Sequence, residues 1–257
     1  MTPPVQVAFK GDRTRAAFTL VHPKGNIITD DMVSALGQAL ESVGENPHLK
    51  LITIEGAGRD FSFGASVPEH APGAIARVLP RMHALISQML DAPAVTAAIV
   101  RGRCLGGGFE LALACDFIFA SDDSVLGLPE IALGVFPPAA AALLPARIGA
   151  ARATRAIVTG ESRPAEEWHS AGLIELVAPA ASLDDEVSRW FDRHLAARSA
   201  SSLRHAAAAA RASLAAHVRR MLPDLERLYL DDLMQTADAV EGIAAFLEKR
   251  PPNWTDR

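Results

Sequence analysis

The sequence predicts an α/β fold, wound from strand–turn–helix units and finished by a helical region. Three observations carry this. Short uncharged runs rich in branched residues, such as Val95–Val100, have the length and composition of buried strands. Between them lie stretches with apolar residues at helical spacing and loops marked by Gly, Pro and Asn. From Leu183 to Leu247 strand signals almost vanish, and the run Ala206–Ala210 is a strong helix former. The 257 residues, 49% of them apolar, can bury one large core with an appended helical piece, divided here as 1–182 and 183–257.

Taken in order, Val5–Phe9 and Ala16–Val21 are two short strands around a Gly11-Asp12 turn, and 22–30 is a loop. Thr29 or Asp30 can cap a helix from Asp31 to Val43. Leu49–Glu55 is a strand and 56–70 a glycine-containing loop. The stripe Ile75, Val78, Leu79, Met82, Leu85, Ile86 and Met89 marks a core-facing helix over 74–90. Strands at Val95–Val100, Phe117–Ala120 and Ser124–Leu126 follow, with a buried helix over FELALAC at 109–115 between the first two. Helices at 151–159 and 164–171 precede a strand at 173–177, with Gly172 placed to end the second helix.

Composition narrows the function. A net charge of −5 gives no general attraction to nucleic acid or anionic membrane, so an anionic ligand must be held by local groups. Arg204, Arg211, Arg219 and Arg220 are expected on solvated faces or subunit contacts rather than as a nucleic-acid patch. Cys104 and Cys115 both fall in apolar stretches and are read as reduced core thiols, not a disulfide or metal site. No charged-then-apolar leader opens the sequence and no apolar run reaches about 18 residues, so a cytoplasmic protein without a membrane span is expected.

The chemistry concentrates in 94–116. After the strand come Gly102 and the run Gly106-Gly107-Gly108, then the buried helix with Glu110 in its first turn. Consecutive glycines allow a tight turn and a close approach. At a helix start they leave N–H donors aimed outward at the positive end of the dipole. A carboxylate beside such donors is a catalytic layout. The bland alternative is a plain turn with a dipole-stabilising Glu. A phosphate loop is disfavoured because no Lys-Ser/Thr follows the glycines and G-x-G-x-x-G spacing is absent. The balance shifts with Glu130, which follows Pro129 in the otherwise apolar segment 126–135. An acidic residue in such a setting is partnered or functional.

A strand, then G-x-x-x-GGG-x-E-L-A, then A-C-D, then G-x-P-E-I-x-L-G resembles the crotonase (enoyl-CoA hydratase/isomerase) superfamily, and two glutamates at this spacing resemble its hydratase branch. The resemblance runs from LVHPKGN near the start to LEKR near the end. It implies a spiral of repeated ββα units over 1–182, carrying an acyl-CoA site. It further implies that 183–257 is a helical oligomerisation region that covers a neighbouring site in homotrimers or hexamers. The backbone N–H groups of Ala65 and Gly107 take the positions of the oxyanion hole, whose purpose is to meet charge developing on a thioester oxygen. Glu110 and Glu130 take the catalytic positions, with Glu110 as base toward water and Glu130 as acid toward carbon. Ser66, Val67, Gly106 and Pro129 fall at substrate-contacting positions, and Lys24 and Lys249 at positions that meet the coenzyme A phosphates. No cofactor or metal is implied, coenzyme A being part of the substrate.

Two segments depart from the commoner pattern. Ser66 stands where many relatives carry Asp, and Pro137-Pro138 followed by four alanines replaces a glycine-rich segment. FSFGASVPEH together with LGVFPPAA resembles the cyclohexa-1,5-diene-1-carbonyl-CoA hydratase subgroup. Gly64-Ala65-Ser66 with His70 nearby also invites a serine-hydrolase reading, but Pro68 occupies the place of the last glycine of a nucleophile elbow. An isomerase on the same scaffold, a thioesterase and a non-catalytic acyl-CoA-binding protein complete the alternatives.

Overall fold

The computed structural model describes residues 2–71 and 73–257. In chain order the elements are β1 (Val5–Lys10), β2 (Arg15–Leu20), α1 (Asp30–Gly44), β3 (Leu51–Gly56), α2 (Ile75–Leu90), β4 (Val95–Val100), β5 (Arg103–Leu105), α3 (Gly107–Leu113), β6 (Phe117–Ser121) and β7 (Val125–Gly127). They continue with α4 (Pro138–Ile148), α5 (Ala150–Thr159), β8 (Arg163–Pro164), α6 (Ala165–Ser170), β9 (Leu176–Ala178), α7 (Leu183–Phe191), α8 (Ala200–Arg227) and α9 (Ala237–Glu248).

The larger sheet has the order β1-β2-β3-β4-β6-β9; β1 is antiparallel to β2 and all later neighbours are parallel. A second sheet joins β5, β7 and β8. Isolated parallel bridges, Ile28 to Ala65 and Ser62 to Cys104, stack the loops after β2 and β3 in the same direction. Each turn therefore runs through a long strand, a shorter extended piece and a helix, and each lies beside the previous one. That is the ββα spiral. β4 is buried along its whole length, as a strand covered on both faces must be, which accounts for its uncharged sequence.

The helix capped by Thr29 is as expected: the Thr29 side chain accepts from Met32 N–H, and Asp30 and Asp31 sit in the first turn. The strand expected at 173–177 is shifted to Leu176–Ala178. Pro137-Pro138 and the alanines after them form α4, which was not anticipated as a helix. Pro138 takes the N1 position, where its missing N–H costs nothing, and alanine is the strongest helix former.

The core does not stop at residue 182. Ala215, Val218 and Leu222 of α8 belong to the same buried cluster as β2, β3, β4 and α3, with both cysteines inside it as free thiols. Burial pushes the Cys104 thiol well up, and Cys115 up to about 12, so neither is poised as a thiolate.

Arg211 corrects the expectation of a solvated arginine. It is 5% exposed. Its Nε donates to Asp116 Oδ1 at 2.6 Å, and its terminal nitrogens reach Asp116 Oδ2 and the carbonyls of Ala92 and Ala94 at 2.7 and 2.6 Å. Asp116 also accepts from Thr96 N–H at 2.8 Å. One guanidinium thus ties α8 to the start of β4 and the end of α3. Removing one partner of a buried pair strands the other charge. Arg211→Ala therefore lowers the unfolding free energy by about 3 kcal/mol in urea titration, and a loss below about 1 kcal/mol would contradict this reading. Among the described residues no helix is long and apolar enough to cross a membrane.

Candidate active site

Gly106 has φ +49° and ψ −127°, a conformation that side-chain-bearing residues resist, and it turns the chain from β5 into α3. That turn presents the first N–H of α3, on Gly107, away from the helix. A Cβ placed on Gly107 would lie 3.2 Å from both the nitrogen and the Cβ of Ala65, so the two segments touch at glycine distance. Ala65 is held from the other side: Ile28 N–H donates to Gly64 O and Ser66 N–H to Ile28 O, both at 2.9 Å. Among the described residues neither the Ala65 nor the Gly107 N–H has a backbone acceptor. Two unspent donors at one spot are what an oxyanion hole requires.

Both segments border a cavity of about 380 Å³, a volume typical of small-molecule sites. Gly64, Ala65, Val67, Gly106, Gly107, Pro129, Glu110 and Glu130 all line it. Ile75, Val78, Leu79 and Met82 of α2 form one apolar wall. Val135, Phe136, Pro137 and Pro138 form another, and Gly242, Ile243 and Phe246 of α9 a third. The closing helix thus belongs to the same chain as the cavity. It seats directly on the turn that carries Glu130, since a Cβ on Gly242 would fall 2.3 Å from Leu133 O.

Glu110 rises from the first turn of α3 and is 6% exposed. Its Oε1 accepts from Ala140 N–H at 2.9 Å, and Ala139 N–H also bonds the carboxylate. The N-terminus of α4 is what holds it, which gives the Pro-Pro-Ala segment a role beyond apolar bulk. Burial pushes Glu110 up to about 7, with those two N–H groups pulling the other way.

Glu130 is on the 3-10 turn Pro129–Leu133, with its carboxylate over Gly106, where a Cβ would come within 2.6 Å of Oε1. The residue is partly exposed, but Oε2 is buried and has no hydrogen-bond partner among the described residues. Burial and the neighbouring Glu110 charge push it up to about 8, against its own N–H. The α4 donors favour the charged form of Glu110, and the Glu110 charge favours the protonated form of Glu130.

The pair makes a pH profile with a worked sign. It titrates as a unit. Activity requiring one charged and one protonated carboxyl falls on the acid side as pH drops through about 7, and on the alkaline side as it rises past about 8. For stability the sign is different. Both groups lie above their ordinary 4.5 in the folded state, so their contribution is full below that value and is lost as pH rises through 7 to 8. Initial rates from pH 5 to 10 should trace a bell, and a flat profile would contradict the shared proton.

The remaining predicted residues are placed differently. Ser66 is buried but does not line the cavity: its carbonyl lies 2.9 Å from His70 Nδ1, which lowers the prospect of a serine nucleophile. His70 does line the cavity, and burial lowers its pKa. Glu69 turns the other way, accepting from Asp30 N–H at 3.1 Å. Lys24 and Lys249 are exposed outside the cavity. Lys249 ends α9 with φ +56°, and Arg250 beside it reaches the cavity instead, paired with Glu241 and Glu248. Sequence reasoning passed over Tyr229 and Phe136, both cavity-lining, with ring centroids 5.4 Å apart and edge to face.

An α/β spiral that sets two backbone donors beside two buried carboxyls defines a class of acyl-thioester enzyme. The family model described as enoyl-CoA hydratase/isomerase matches residues 13–257, and the chain belongs to that family. It is 44% identical over 256 residues to cyclohexa-1,5-dienecarbonyl-CoA hydratase of Thauera aromatica, covering 99% of this chain and 98% of that one. It is 33% identical to carnitinyl-CoA dehydratase of Salmonella arizonae, with 92% and 93% covered. The crystal structure of an enoyl-CoA hydratase from Mycobacterium avium subsp. paratuberculosis superposes with a TM-score of 0.86, at 29% identity, over 98% of this chain and 99% of that one.

Proposed function

We propose that the enzyme reversibly hydrates cyclohexa-1,5-diene-1-carbonyl-CoA to 6-hydroxycyclohex-1-ene-1-carbonyl-CoA, using Glu110 and Glu130 as an acid–base pair. The observation that carries the reaction type is the pair itself: two buried carboxyls in one cavity, one held by helix donors and one not. The thioester oxygen accepts from Ala65 and Gly107 N–H. Glu110 takes a proton from water as its oxygen bonds to the β-carbon. The electrons move onto the thioester oxygen, and for a conjugated ring onto the far ring carbon as well. Glu130 delivers its proton to carbon, and the two carboxyls have exchanged protonation states. Losing one oxyanion donor typically costs about 2.7–4 kcal/mol of barrier.

The acyl choice is supported by the apolar walls that α2, Phe136 and Pro137-Pro138 give the cavity, and by the 44% relative. Lys24 and Lys249 are assigned to the coenzyme A phosphates. A homotrimer or a hexamer of paired trimers is assigned as the assembly, with a cytoplasmic location.

Steady-state hydration of the cyclic dienoyl-CoA against crotonyl-CoA tests the assignment. The expected result is a kcat/KM for the cyclic substrate at least about 10²-fold higher, since a misfitted acyl group forfeits the oriented geometry. Equal values would remove the cyclic specificity while leaving hydration. Release of free coenzyme A without hydration would replace it with a thioesterase.

A further inference from the structure

Tyr229 is the chain's single tyrosine, and its 1% exposure makes it one of the most deeply buried large side chains. Its hydroxyl nevertheless has no hydrogen-bond partner among the described residues, as is true of Glu130 Oε2, and both residues line the same cavity. Buried polar atoms without partners are costly, and two of them on residues that line one chamber mark a place where a polar ligand atom belongs. Tyr229 reaches that chamber because the chain makes a π turn at Leu228–Asp232, directly after α8. The extra residue in the turn buries Tyr229 while Leu228 faces out. Such turns concentrate at functional positions. Phe136 packs against the phenol ring edge to face and fixes its plane.

We propose that the Tyr229 hydroxyl is a catalytic contact to the transferred oxygen, donating a hydrogen bond to it while Glu110 and Glu130 manage its protons. The proposal rests on the hydration reading above. Burial and the two glutamates push the phenol's pKa up, so it keeps its proton throughout the working range and can only donate when it meets an oxygen lone pair. No proton leaves Tyr229 in any step. Its part is to fix the oxygen on one face of the acyl group, and in the dehydration direction to steady the departing hydroxyl.

The lone tyrosine makes the test clean. Protein carrying ¹³Cζ-tyrosine gives one resonance, to be followed on titration with cyclohexanecarbonyl-CoA and with 6-hydroxycyclohex-1-ene-1-carbonyl-CoA. Only the hydroxylated ligand should move it as a new hydrogen bond does. In parallel, Tyr229→Phe should lower kcat about ten-fold with KM within about three-fold. Its Tm without ligand should be unchanged or higher, because an unpartnered buried hydroxyl has been removed. A purely structural role would instead lower Tm. Identical shifts with both ligands, or a Tyr229→Phe enzyme with wild-type kcat, would overturn the proposal while wild-type turnover left the hydration reading standing. If the wild type hydrates only crotonyl-CoA, the same comparison is read with butyryl-CoA and 3-hydroxybutyryl-CoA. A wild type that adds water to neither substrate sinks both readings.

Discussion

Glu110→Gln and Glu130→Gln each lower kcat by about 10²- to 10⁴-fold, the span that a positioned acid or base contributes. Gln keeps the volume and can still accept from the Ala139 and Ala140 N–H groups, so the fold and Glu110's tether to α4 survive. What is lost is the proton. The double variant is little worse than the poorer single one, since neither group works without the other. Glu130→Gln carries a second signature. Its carboxyl progressively destabilises the fold as pH rises from 4.5 to about 8, so the amide should flatten the decline in Tm over that window. Single variants that retain near wild-type turnover on every unsaturated acyl-CoA the native enzyme accepts would end the paired-carboxyl account.

Gly106→Ala is expected to cost about 10²- to 10³-fold in kcat, through two effects that one methyl group produces. The new Cβ falls 2.6 Å from Glu130 Oε1, so the acid must move. The backbone at φ +49° and ψ −127° is one alanine resists, and relief of that strain rotates the peptide that carries the Gly107 N–H. An oxyanion donor turned away from its target costs as much as one removed. Binding of a saturated acyl-CoA should change far less than turnover, because the transition state, not the ground-state carbonyl, needs that donor most. Measured kcat and inhibition constants separate the two. A Gly106→Ala enzyme with a raised KM and an intact kcat would show that this turn serves binding alone.

How much of this was readable in the chain differs by residue. β4 was legible because a strand buried on both faces is uncharged and rich in branched residues, and Glu110 and Glu130 were legible because a carboxylate in an apolar run demands a reason. The spiral was legible only through the family resemblance; its physical expression is the register of parallel bridges, which no local pattern encodes. The helix α4 was missed because Pro137-Pro138 reads as a loop, although proline is at home in a first helical turn. With it were missed the N–H donors that favour the charged form of Glu110. Arg211 was missed because an arginine in an alanine-rich helix looks solvated until Asp116 and two carbonyls surround it. Tyr229 was hidden by the π turn, which breaks the helical spacing that would have placed its side chain.

The central claim is that this chain adds one water to a conjugated acyl thioester by means of the glutamate pair. Incubation with cyclohexa-1,5-diene-1-carbonyl-CoA in ¹⁸O-labelled water, with crotonyl-CoA alongside and products read by mass, tests it most directly. The account predicts rapid gain of one labelled water by the cyclic diene, little by crotonyl-CoA, and a labelling rate lowered by about 10²-fold or more with Glu110→Gln. Label in neither substrate, or undiminished label with Glu110→Gln, would contradict it.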